Sequence, residues 1–414
     1  MVEPNNPLTY RAVEESPADG VHLLDGQGNA LAVETGAGIV LVDAGPGRGK
    51  TRAMIESLRE KTDAPLMAIC YSHGHLGYNA GVPLWQAHAA ERGEPPPRLI
   101  AHERIVDRFR RYRETAPLQL RFAEIQFRMP LGALPEPLEI IDPTETFADA
   151  LTLTTAGRTV QLLWAPSETD DCIAVWLPDD GILYGGAAVI TSIPNIGTPL
   201  RTLRDPVRWA QTLERLASLD PGLVIREFGP SIVGRGDVQR ILGKTAEALR
   251  WLRRAVVERM NRGMNVIDII HDIEYPAELF EQNWMAPVYG APDYIVRDIF
   301  RSETGWWDRN PTSLHPASNT AAALAVLSAI SDRGAVITRA RQLAESGELQ
   351  LALHVIDVLA LAPGDDEELQ TARQLKADWL RARAANTVSF VSKSLYLSSA
   401  KLIESGKGDA VGIR

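Results

Sequence analysis

The chain has 414 residues, 45% of them hydrophobic, and a formal net charge of −10. That length and apolar content suffice for two or three domains with full-sized cores and exclude a disordered chain. The acidic balance excludes a nucleic-acid partner, which calls for a basic face.

Residues 1–7 have neither the basic start nor the apolar stretch of a signal peptide. No apolar run reaches the roughly 18–20 residues that span a bilayer, so a cytoplasmic protein without a membrane partner is expected. Residues 30–35 and 38–43 alternate as the two arms of a hairpin. The turn that follows, Ala44-Gly45-Pro46-Gly47-Arg48-Gly49-Lys50-Thr51, nearly reproduces a phosphate-binding loop, which opens a nucleotide-hydrolysis reading. Helical spacing predicts a helix over 52–61, and residues 66–71 read as a buried strand. Cys70 and Cys172 both lie in apolar runs; they read as core thiols, and two cysteines make no disulfide framework.

The strand over 66–71 delivers Ser72-His73-Gly74-His75-Leu76-Gly77-Tyr78-Asn79. Residues i and i+2 of extended chain share a face, so the imidazoles of His73 and His75 are predicted to approach one metal ion. A carboxylate is the natural third ligand for a divalent ion of this kind. The acidic turn Ser167-Glu168-Thr169-Asp170-Asp171, between predicted strands at 161–164 and 172–177, is the best source. Further strands are predicted at 182–184 and 223–225.

Beyond about residue 238 the pattern is almost wholly helical, with long amphipathic runs at 237–261 and 330–346. Between Tyr275 and Pro316 it is interrupted by a segment carrying Trp284, Tyr289, Tyr294, Phe300, Trp306 and Trp307. That aromatic density suggests a core or an oligomer interface. Turns at 347–349 and 362–364 separate helices paired as hairpins.

The segments 39–45, 71–75 and 182–186 follow the order and spacing of the metallo-β-lactamase superfamily, which the chain therefore resembles. Within it the chain looks like the alkylsulfatase branch. Tyr289-Gly290, Gly305-Trp306-Trp307-Asp308, Asn310-Pro311 and Leu314-His315-Pro316 fall where that branch has its signature. The resemblance covers about residues 20–405 and implies an α/β fold: an αββα sandwich over 1–236, a helical dimerisation segment over 237–316, and a helical hairpin region over 317–414. It also implies a homodimer. The branch's third, lipid-binding-like domain is expected to be absent, which shifts the expected substrate from long alkyl chains toward a small organic ester or sulfate ester.

Carried over residue by residue, the first metal subsite of the family falls on His73, His75 and Glu168, with Asp170 or Asp171 as alternatives to Glu168 if the alignment slips. The second subsite is not reproduced: its Asp and His fall on Gly77 and Tyr78, its bridging Glu near Ala187, and its distal His on Glu227. One divalent ion per chain is therefore expected, zinc in the first instance and iron(II) as the alternative. Asp43 falls where the family has an acid that braces the metal loop. Glu227, Tyr78, Asn79 and Asp170 are the candidate catalytic groups around the place of the second ion, and Asn195, Arg201 and Arg204 the candidate sulfate-binding groups. The expected function is a mononuclear metal-dependent hydrolase. A non-hydrolytic iron enzyme with two histidines and one carboxylate, and an inactive dimeric scaffold, are the alternatives.

Overall fold

Three apolar runs near the N-terminus fold back on one another as β1 (Val21–Asp25), β2 (Asn29–Thr35) and β3 (Gly38–Val42), paired antiparallel. Pairing then becomes parallel through β4 (Leu66–Cys70), β5 (Arg98–His102) and β6 (Glu145–Phe147), which completes a six-stranded sheet. Parallel neighbours need crossovers. Helices α1 (Arg48–Arg59), α2 (Val82–Glu91), α3 (Arg104–Glu114) and α4 (Ala116–Gln126) lie in them.

A second six-stranded sheet runs in the order β12 (Ile232–Val233), β11 (Leu223–Arg226), β10 (Ile182–Gly186), β9 (Ile173–Leu177), β8 (Arg158–Trp164) and β7 (Ala150–Thr155). Its one parallel pair, β10 with β11, is bridged by α5 (Pro206–Ser218). This computed structural model describes residues 15–134, 138–155 and 157–407; residues 1–7, read above for a signal peptide, and the last seven residues lie outside them.

The hydrophobic clusters define the layers. Val33, Val40, Cys70 and Ile100 of the first sheet meet Leu162, Val175, Leu177 and Ile225 of the second. The other face of the first sheet, with Leu41 and Ile69, packs on Leu58, Trp85 and Phe109 of its helices. The other face of the second sheet packs on Trp209 and Leu213 of α5 and on Leu242 and Leu249 of α6 (Arg235–Asn261). Strands such as β3, buried on both faces, therefore read as unbroken apolar runs. The result is the expected αββα sandwich followed by helices. Both cysteines are free and buried.

The chain divides into two compact units along lines that differ from the three-part reading. The first takes in residues up to 116 and 136–303, so α6, α7 (Val266–Asp272), α8 (Ala277–Phe280) and nearly all of α9 (Pro292–Thr304) go with the sandwich. The reason is packing: Trp284, Ile295 and Phe300 belong to the same cluster as α5 and α6. The second unit joins residues 117–135 to 304 onward. Its α10 (Asn319–Ser328), α11 (Arg333–Glu345), α12 (Leu349–Ala360) and α13 (Glu367–Ala385) pack around Ile337, Ile356, Leu359 and Leu369, and α14 (Phe390–Glu404) joins Ala377 and Leu380 of α13 through Ala400. The helix expected over 330–346 starts at Arg333, because Asp332 caps it by accepting from Ala335 N. Among the described residues no single helix is long and apolar enough to cross a membrane.

Candidate metal centre

The loop after β4 is pinned from three directions. Asp43, at the end of β3 and in a left-handed conformation (φ 65°), accepts from Ser72 N at 2.9 Å and from Asn79 Nδ2 at 3.0 Å. Asn79 in turn accepts from Ala44 N at 3.0 Å. Asp171 Oδ2 accepts from Gly74 N at 2.6 Å, and its other oxygen accepts from Arg108 of α3. A Cβ at Gly74 would stand 2.7 Å from Arg108 Cδ, so the loop needs glycine between its two histidines.

Held this way, His73 Nε2 and His75 Nδ1 stand 2.9 Å apart, and Glu168 Oε2 lies 3.3 Å from His75 Nδ1 and 3.8 Å from His73 Nε2. Among the described residues these three form the one group of His, Cys, Asp or Glu arranged to hold a metal ion. Two nitrogens and one oxygen at such separations suit a divalent ion that takes imidazole and carboxylate. The electrostatics fit as well. Burial, and next the neighbouring His75, push His73 down to about 4, and burial lowers His75, so both rings are neutral ligands at neutral pH. Burial opposes ionisation of Glu168, but His75 and Arg204 outweigh it and hold the carboxyl well below its usual range.

Outer partners orient His73 and Glu168. Ser72 Oγ lies 2.9 Å from His73 Nδ1, fixing the ring nitrogen that faces away from the cluster. Glu168 Oε1 accepts from Asn195 Nδ2 at 2.6 Å and pairs with Arg204 at 3.3 Å, which leaves Oε2 facing the histidines. Arg204 also donates to Asn195 O, and Arg204 N donates to Asp298 Oδ2 at 2.8 Å. Asn195 and Arg204, read above as sulfate-binding groups, are thus buried and directed at Glu168.

Tyr78 and Glu227 form a second buried group. The Tyr78 ring packs on His73 with centroids 4.4 Å apart, and its hydroxyl donates to Glu227 Oε1. Burial, then the charge of Glu168, push Glu227 well above the usual carboxylate range and favour the neutral acid. Glu227 is fixed by its backbone: Glu227 O accepts from Asn29 N at 2.7 Å, and a Cβ on Gly28 would collide with that oxygen. Asn29 Nδ2 donates to Arg226 O and Gly229 O, and Tyr184 donates to Asn29 O, so the β1–β2 turn is stitched to the end of β11.

The remaining predicted groups sit elsewhere. Asn79 braces the loop through Asp43 and Ala44. Asp170, 40% exposed along its side chain, pairs with Arg108 instead of joining the ligands, and Asp171 is occupied by Gly74 and Arg108. Glu168 is therefore the carboxylate at the cluster. Arg201 is half-buried, with Tyr289, Arg204 and Glu168 among the groups whose charge it feels. Part of the phosphate-loop reading is taken up by other contacts: Ala44 N, Gly45 N and Gly47 N are engaged by Asn79, Tyr78 O and Thr51, and Lys50 pairs with Asp25 at 3.0 Å. Sequence reasoning missed Arg108, Ser72 and Asn29. A hydroxyl next to His73 was the available signal for Ser72; nothing local marks the other two.

Fold and site together define a class. Residues 23–226 match the metallo-β-lactamase superfamily and residues 265–406 match the alkyl sulfatase dimerisation domain, so the chain combines a metallo-β-lactamase domain with an alkylsulfatase dimerisation domain. It is 27% identical over 393 residues to a linear primary-alkylsulfatase of Pseudomonas sp. (strain ATCC 19151), covering 90% of this chain and 73% of that one. An (R)-specific secondary-alkylsulfatase of Pseudomonas sp. is 23% identical over 58% of this chain and 36% of its own length. Among solved structures, a stereoselective inverting sec-alkylsulfatase from Pseudomonas sp. superposes with a TM-score of 0.82 at 18% identity, covering 95% of this chain and 66% of that one. The chain thus spans only part of the length of these relatives.

Proposed function

We propose that this protein is a metal-dependent hydrolase of sulfate esters, with one divalent ion per chain held by His73 Nε2, His75 Nδ1 and Glu168 Oε2. The observation that carries the reading is the convergence of these three ligand atoms, with His73 and Glu168 buried and each oriented by an outer partner. The alkylsulfatase relatives support the substrate class. A bound ion supplies Lewis-acid chemistry, polarising the oxygen of a water or of the ester.

The chain's own groups do the rest. The Asn195 amide and Arg204 turn Glu168 toward the histidines, and His75 and Arg204 hold it ionised. Tyr78 and Glu227 form a proton-carrying pair against His73, in the position the resemblance gives to a second ion. Arg201, half-buried and within the field of Arg204 and Glu168, is the guanidinium we assign to a sulfate group. Zinc is the ion we assign, the cytoplasm the location and a homodimer the form in which the enzyme works; the dimerisation-domain match supports the homodimer alone.

The test is elemental analysis of protein purified without added metal, beside a short-chain alkyl sulfate assay, on the native chain and on His73→Ala, His75→Ala. One zinc per chain and turnover, both lost in the double variant, are the expected results. Retained turnover in the double variant sinks the reading. Two imidazoles and one carboxylate equally suit iron(II), so one iron per chain without sulfate release would favour the non-hydrolytic alternative.

A further inference from the structure

The second unit contains a cavity that the metal centre does not use. It opens between the C-terminal end of α4 with the turn after it and the C-terminal end of α14, with a volume of about 170 Å³. Ile125 and Leu402 are buried in its wall, and Met129 adds a flexible apolar side. The hydroxyls that line it are satisfied, Ser398 donating to Ile125 O at 2.7 Å and Ser405 to Leu402 O at 2.9 Å. An apolar cavity of about 150 Å³ accommodates a benzene-sized molecule, so this one suits about six carbons.

Its mouth is cationic. Arg128, Lys401 and Lys407 line it and no carboxylate does, in a chain whose net charge is −10. Two helix caps place these cations. At the end of α14, Gly406 (φ 70°) takes the left-handed position and Lys407 N donates to Leu402 O. At the end of α4 the same motif closes with Met129 N donating to Glu124 O, but the left-handed residue is Arg128 (φ 59°), where glycine is the unstrained choice. Cations at helix C-termini complement the helix dipoles. Arg128 has a use of its own, its guanidinium lying 5.6 Å over the Phe390 ring, but dipoles do not explain the apolar hollow beneath Lys401 and Lys407.

We propose that this cavity is a binding site for an anionic amphiphile: a linear chain of about six to eight carbons in the hollow, its single anionic head held at the mouth by Lys401 and Lys407. The shared chemistry fits an alkyl sulfate or a fatty carboxylate. The site is independent of the metal centre and of its reaction.

Equilibrium dialysis of the full-length His73→Ala, His75→Ala protein against octyl sulfate and, separately, octanoate, both below their micellar concentrations, tests it. Saturable binding of at least one anion is expected, with octanol much weaker. Lys401→Gln with Lys407→Gln is expected to weaken that binding at least tenfold, and Met129→Trp, which fills the hollow, to abolish it. Preference between the two anions identifies the source. Sulfate-ester turnover by an otherwise native chain carrying the lysine changes should be unaltered. No saturable binding of either anion, or affinity indifferent to both sets of substitutions, overturns the proposal.

Discussion

Tyr78 stands three positions after His75, and its hydroxyl reaches the buried carboxyl of Glu227. Replacing it with phenylalanine removes the donor and leaves a buried acceptor unpaired, which should cost about 1–3 kcal/mol of stability. Urea unfolding should register that loss while metal content stays at the native value. His73 gives a pH prediction. Its proton affinity is lowered from 6.5 to about 4 by burial and by His75, so on acidification the unfolded chain takes up the proton first. Metal-free protein should therefore lose stability as pH falls from 6.5 toward 4, by at most about 3 kcal/mol from this residue. Glu168, held low, adds a loss in the same direction as it protonates. A denaturation midpoint unchanged across that interval would contradict the assignment. The histidine pair was legible because a two-residue spacing after an apolar strand is a local signal. Glu168 came from the resemblance. Arg108 and Asn29 were invisible because they act on partners 63 and 197 residues away.

Among the elements, the loop between β4 and α2 depends on a residue outside it. Asp43 accepts from a backbone amide near the start of the loop and from Asn79 near its end. Asp43→Ala should release both ends and weaken metal binding by about 10–100-fold, the range for lost outer-shell partners. Competition titration with a chromophoric chelator measures it; an unchanged affinity would show that Asp171 and Gly74 alone hold the loop. The long buried strands and the start of α6 were readable from apolar runs and spacing. The short strands β6 and β12 were not, because three and two residues carry no period. Nor was the break before α11, where the Asp332 cap wins over a continuous amphipathic pattern.

For the whole molecule, the dimerisation-domain match predicts a particle of twice 45.4 kDa by light scattering at micromolar concentration. A monomer mass there would remove the homodimer from the proposal. The order of strands and helices marked an α/β half, and the αββα layering came from the resemblance. The division into units was not, since the joining of residues 117–135 to the C-terminal helices depends on contacts such as Ser398 with Ile125.

The stitch between Asn29 and the end of β11 sets a timetable for synthesis. His73 and His75 leave the ribosome long before Glu168, and Glu168 before the Asn195 and Arg204 that orient it. The backbone of Glu227, which closes against Asn29, comes last. A nascent chain can thus offer a passing cation no more than a histidine pair, and ions caught early stay free to exchange. Selection of the proposed ion would then fall after translation of the sandwich, once Asn195 and Arg204 have turned Glu168 toward the histidines.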